Sequence, residues 1–239
     1  MEINFNSHTN MKKKTNGEIQ ALKENEMRNI STKEDFRKDA FRVAIFGSAR
    51  IKPNDKTFQE VMTLAKEIAK LDIDVVTGGG PGIMEAASLG HQMGASENSK
   101  SIGLTIELPW ENEGNQHLDK QKHFQKFSNR LDTFMKLSNV VIVMPGGIGT
   151  CLELFYTWQL TQVKHICSIP ILLHGKMWHQ LYKWVKKYPV KNGLVSPDDL
   201  NNVLCVKNNK QTLEVIKDRL KAFQEKGPDD CVNSDQYKL

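Results

Sequence analysis

The sequence predicts an α/β fold, a Rossmann-like, doubly wound parallel sheet in a single domain. Three observations carry that expectation. Short apolar runs alternate along the chain with segments of helical apolar period, the pattern of a parallel sheet covered on both faces. Two strand-to-helix junctions are glycine-rich turns, Gly78-Gly79-Gly80-Pro81-Gly82 and Pro145-Gly146-Gly147-Ile148-Gly149. At 239 residues, the chain suits one such domain with polar appendages.

Residues 1–37 are polar and lack a sustained apolar period, so we expect a flexible arm. The domain is expected over 38–226, with a polar tail over 227–239. Phe41–Phe46 is the first strand, and Gly47-Ser48-Ala49-Arg50 follows it directly. A helix starts near Asp55 and places Val61, Leu64, Ala65 and Ile68 on one face. Ile73–Thr77 is the second strand and runs into the first glycine turn, where Pro81 fits a helix opening because its missing N–H costs nothing there. Ser101–Ile106 is the third strand. A long polar connection runs from Glu107 to Gln121, and a connection of that length in a compact domain is expected to serve the site. His123–Leu137 is expected to be helical, with Phe124, Phe127, Leu131, Phe134 and Leu137 as its apolar stripe. Val140–Met144 is a buried strand, followed by a helix from Gly149 to about Gln162. Ile169–Leu173 and Val203–Val206 are the remaining strands, each followed by an amphipathic helix.

Composition narrows the function classes. Hydrophobic residues make up 39% and the formal net charge is +5, a mild excess that suits a small anionic substrate and does not argue for nucleic acid. No apolar run is long enough to span a bilayer, and the N-terminus lacks the apolar core of a secretory leader. The four cysteines, Cys151, Cys167, Cys205 and Cys231, have no metal-ligand spacing and read as reduced thiols. A cytoplasmic location is the expectation, with neither membrane nor nucleic acid as partner.

The two glycine turns read as anion cradles. Glycines let the backbone approach closely, and the free N–H groups at a helix start attract negative charge. Gly78, Gly79, Gly80 and Gly82 form one candidate site for the phosphate of a nucleotide; Gly146, Gly147, Gly149 and the Thr150 hydroxyl form the other. Neither is a Walker loop, since no Lys-Ser or Lys-Thr pair follows. Gly47 and Ser48 add a third strand-end turn, with Arg50 beside it. Glu85, on the helix after the first cradle, faces either ribose hydroxyls or solvent. Glu153 follows the second cradle and has two readings. It is a carboxylate placed to act on a sugar, or it closes a capping box with Thr150.

Gly78-Gly79-Gly80-Pro81-Gly82-Ile83-Met84-Glu85-Ala86 together with Pro145-Gly146-Gly147-Ile148-Gly149-Thr150 and Glu153 resembles the LOG (Lonely guy) family, long labelled lysine decarboxylase-like. The resemblance runs from about Arg42 to Phe223. It implies a Rossmann-like homodimer that needs no metal or cofactor and hydrolyses the N-glycosidic bond of nucleoside 5′-monophosphates, cytokinin nucleotides among them, to free base and ribose 5-phosphate. It further implies that Glu153 is the catalytic acidic residue and Arg130 the catalytic arginine. Leu131 stands where the family usually has lysine. A non-catalytic nucleotide or molybdenum-cofactor carrier on the same fold is the alternative. Phe155, Trp158 and Leu160 are the expected dimer surface. The decarboxylase label itself fails on chemistry, because that reaction needs a Schiff-base lysine and neither cradle contains one.

Overall fold

Alternate residues of the first strand, β1 (Arg42–Phe46), face opposite sides, and this fixes the layers. Val43 and Ile45 enter one core cluster, Ala44 and Phe46 the other. The computed structural model describes residues 40–94, 96–107 and 114–227. The expected arm over 1–37, Trp110 and the tail from 228 lie outside the described residues.

Among the described residues, seven strands form one sheet: β1, β2 (Asp74–Thr77), β3 (Ser101–Ile106), β4 (Lys120–Phe124), β5 (Val140–Val143), β6 (Ile171–His174) and β7 (Val203–Val206). Their order is β4-β3-β2-β1-β5-β6-β7, and each neighbouring pair is parallel. Helices α1 (Lys56–Ala69), α2 (Ile83–Gly94) and α6 (Asn209–Lys226) cover the face of Val43 and Ile45. Helices α3 (Phe127–Leu137), α4 (Ile148–Gln162) and α5 (Lys176–Val185) cover the other. This is the Rossmann-like α/β domain that the alternating pattern predicts.

Three local expectations are corrected. Lys120–Phe124 is an edge strand, where the sequence predicts the end of the polar connection at Gln121 and a helix from His123; it pairs with β3 from Ile102↔Lys120 to Ile106↔Phe124, and α3 begins only at Phe127. The cause is its position. An edge strand tolerates lysines and needs no continuous apolar run, so Lys-Gln-Lys-His-Phe carries little strand signal. Trp158 does not belong to an exposed face: it is 7% exposed, and its indole N–H donates to the Asp199 carbonyl at 2.9 Å. Leu160 packs half-buried against the same core. Phe155 is exposed as the sequence predicts; the other exposed apolar residues of α4 are Ile148 and Leu152, and Val163 follows just past its end. They recur at helical spacing along one stripe. Finally, Cys151 and Cys205 are free thiols, but Cys167 takes part in a disulfide.

No helix among the described residues is long and apolar enough to cross a membrane.

Candidate active site

The sheet order reverses at β1, which lies between β2 and β5. Ligands of open α/β sheets bind in the crevice outside the carboxyl ends of the strands at such a point. Three strand-end turns meet there, and backbone hydrogen bonds join them. Ser48 N–H donates to the Pro145 carbonyl at 3.1 Å, and Ile83 N–H donates to the Ser48 carbonyl at 3.0 Å. The β1 turn is therefore held between the two glycine cradles. Gly82 makes this approach feasible. Its φ is +69°, and a Cβ there would lie 2.5 Å from the Ser48 carbonyl oxygen.

A cavity of about 520 Å³ opens over these turns, a size that suits a small-molecule ligand. Of the residues singled out from the sequence, Gly47, Ser48, Arg50, Gly78, Gly80, Arg130, Gly147, Gly149, Thr150 and Glu153 line it. Gly79, Gly82, Gly146 and Glu85 are not part of its wall. Gly82 and Gly146 shape the turns from behind, and a side chain on Gly146 would collide with Thr150. Glu85 is partly exposed in the first turn of α2. By contrast, Cβ atoms on Gly147 or Gly149 would meet nothing within 4 Å, so that cradle is open to an incoming ligand.

Glu153 and Arg130 come from different helices, α4 and α3, and meet at the cavity wall. Arg130 Nη2 lies 3.8 Å from Glu153 Oε1, with side chains 11% and 13% exposed. Arg130 Nε donates to the Leu104 carbonyl at 2.6 Å, and its guanidinium carbon lies 5.4 Å from the centre of the Phe134 ring. The guanidinium is thus held in place by β3 and by its own helix. Burial pushes the Glu153 carboxyl up to about 7, against the pull of the Arg130 charge. A carboxyl that titrates near neutrality exchanges protons readily at working pH.

The capping-box reading of Thr150 and Glu153 does not hold. Helix α4 starts at Ile148 after Gly147 as N-cap, with no side-chain cap. Thr150 is therefore already inside the first turn, and Glu153 lies beyond it. Its carboxylate is available to the cavity.

Sequence reasoning missed Met84, Thr105, Ile106 and Phe127, which also line the cavity. Phe127 fits the helical stripe of α3 by spacing, yet it is 50% exposed. Periodicity alone does not separate a core aromatic from one at a cavity rim.

Packing inside the site yields one prediction. A Cβ on Gly78 would clash with the Arg130 guanidinium and with Met84 Sδ. Gly78→Ala should displace the Arg130 guanidinium from Glu153. A crystal structure of the variant, with circular dichroism as a folding control, checks this; an unmoved guanidinium would mean that the surrounding side chains absorb the clash.

A family model described as "Possible lysine decarboxylase" matches residues 81–216. The chain is 27% identical over 113 residues to the pyrimidine/purine nucleotide 5′-monophosphate nucleosidase of Escherichia coli (strain K12), covering 43% of this chain and 24% of that protein. The match therefore spans about a quarter of that curated relative. Among solved structures, the molybdenum cofactor carrier protein from Chlamydomonas reinhardtii superposes with a TM-score of 0.56 at 16% identity, over 76% of this chain and 99% of that one. The molybdenum cofactor binding protein from Rippkaea orientalis gives 0.57 at 20% identity, over 77% and 98%. At these identities the structural matches show a shared fold. Among the described residues, those lining the cavity include no lysine. With more than half of its length matched by the family model, and with both glycine motifs in place, the chain belongs to the lysine decarboxylase-like, or LOG, family.

Proposed function

We propose that the protein hydrolyses the N-glycosidic bond of a nucleoside 5′-monophosphate. One observation carries the reading: a carboxyl raised to about 7 by burial stands 3.8 Å from an arginine, in a cavity walled by glycine turns. A phosphate fits the N–H groups of the 147–150 turn and the Thr150 hydroxyl, at the positive end of α4. Charge repulsion then places the ionised Glu153 toward the ribose rather than the phosphate. Cleavage of a glycosidic bond passes through a cationic, oxocarbenium-like sugar, which a nearby carboxylate stabilises while activating water. The C1′–N bond breaks, water oxygen bonds to C1′, and the water's protons end on the departing base and the new anomeric hydroxyl. Arg130 orients Glu153 and favours its ionised form.

The test is incubation with AMP, GMP, CMP, UMP and isopentenyl-AMP, followed by chromatography for free base. Release from one or more identifies the preferred base and settles whether cytokinin nucleotides are substrates. Binding without release from any of them supports a non-catalytic carrier instead.

The same reading includes a homodimer. Ile148, Leu152, Phe155 and Val163 are 87%, 45%, 44% and 58% exposed along one stripe, and exposed apolar surface of this kind marks association. Two copies pairing there would also shield the open side of the second cradle. Leu152→Glu should convert the dimer to monomer in light scattering; a wild-type monomer at micromolar concentration contradicts this part of the proposal.

A further inference from the structure

We propose that Asn115 is a positioning residue that turns the peptide N–H of Gly80 into the cavity, where it joins the 147–150 turn as a further donor to the substrate phosphate; this rests on the nucleotide reading above. Asn115 lies in the connection between β3 and β4 and grips the first glycine cradle. Its backbone N–H donates to the Gly79 carbonyl at 2.7 Å. Its side-chain Nδ2 donates to the Gly79 and Gly80 carbonyls, both at 3.1 Å, and lies 3.4 Å from Ser88 Oγ. Its Oδ1 accepts from His117 N–H at 3.1 Å. The amide orientation follows from these partners, because a flipped side chain would set its oxygen against two carbonyl oxygens.

The consequence for the site comes from peptide geometry. A trans peptide points its C=O and its N–H in opposite directions, and the described residues contain no cis bond. The Gly79 carbonyl is held on Asn115, so the Gly80 N–H is turned away from it. Gly80 is in the cavity wall, whereas Gly79 is not. The next residue, Pro81, has no N–H to offer. The Gly79–Gly80 peptide is therefore the donor that this turn can supply at that point, and its direction depends on Asn115. Gly79, at φ +76°, has a backbone free to swing if that grip is lost.

The experiment compares wild type with Asn115→Asp by calorimetric titration of AMP and of adenosine, which lacks the phosphate, with thermal unfolding in parallel. Aspartate keeps the shape, removes both donors and brings a carboxylate against two carbonyls. The expected result is a loss of AMP affinity of about ten-fold or more, with adenosine affinity unchanged. Equal losses for both ligands, or no loss for either, overturn the proposal, as does a wild type that binds neither. If Asn115→Asp does not fold, Asn115→Ala, which retains the backbone N–H to Gly79, carries the same comparison. Because binding needs no turnover, a wild type that binds AMP without releasing adenine defeats the hydrolase reading while leaving this one open to the same measurement.

Discussion

Glu153→Gln is expected to fold normally and to lose nucleosidase turnover by about 10³-fold, within the range attributed to a positioned acid–base group. Gln keeps the size and polarity of the side chain and loses only its charge and its proton. In the wild type, where the ionised carboxylate is the working form, kcat/KM should fall as pH drops below about 7, the value to which burial raises this group. The same group has a stability signature of opposite sense. Its folded value, about 7, lies above the ordinary carboxyl value of 4.5. Between those two values the native state holds a proton that the unfolded chain has released, so stability declines as pH rises through this window. The decline amounts to about 3 kcal/mol. Below 4.5 both states are protonated and the contribution is fully present; above 7 it is gone. Glu153→Gln should flatten that slope and raise Tm at pH 8 relative to wild type. An active variant that is also less stable would indicate that Glu153 is structural.

Arg130→Ala is expected to cost both activity and stability. The guanidinium is 11% exposed and donates to the Leu104 carbonyl at 2.6 Å. Its removal leaves a buried carbonyl short of a donor, a loss of about 1–3 kcal/mol. Sequence alone favours a loss of activity far greater than the loss of stability; the contacts to Leu104 and Phe134 show why both must be measured. The discriminating quantity is the pH profile. Without the arginine charge, burial alone acts on Glu153, and the acid limb of kcat/KM should move above pH 7. We expect kcat/KM to fall about 10²-fold at pH 7, with partial recovery at higher pH. Loss of activity in proportion to the unfolded fraction, with the limb unmoved, would assign Arg130 a structural role only.

The legible parts of this fold are those where both faces of an element are buried. Val140–Val143 and Val75–Val76 read as strands because parallel strands in the sheet centre need apolar residues on both sides. The glycine turns are legible because few other residues allow a backbone to approach another so closely, as Gly82 does against Ser48. Strand β4 is not legible, since an edge position accepts Lys120 and Lys122. Phe127 is obscured by its place in a helical stripe, although half of it is exposed at the cavity. Asn115 is obscured for another reason. One asparagine in a polar connection has no local pattern, and its partners lie 35 and 36 residues away. Glu153 shows the limit most clearly. Its spacing from Thr150 suits a capping box as well as a site, and only the helix start at Ile148 separates the two.

The most direct measurement mixes protein in excess with a 5′-nucleotide and quantifies free base, ribose 5-phosphate, nucleoside and orthophosphate for wild type and Glu153→Gln. Hydrolysis of the N-glycosidic bond through Glu153 requires equimolar base and ribose 5-phosphate from wild type, and neither from the variant although the variant still binds the nucleotide. Nucleoside with orthophosphate, or equal base release by both proteins, would contradict it.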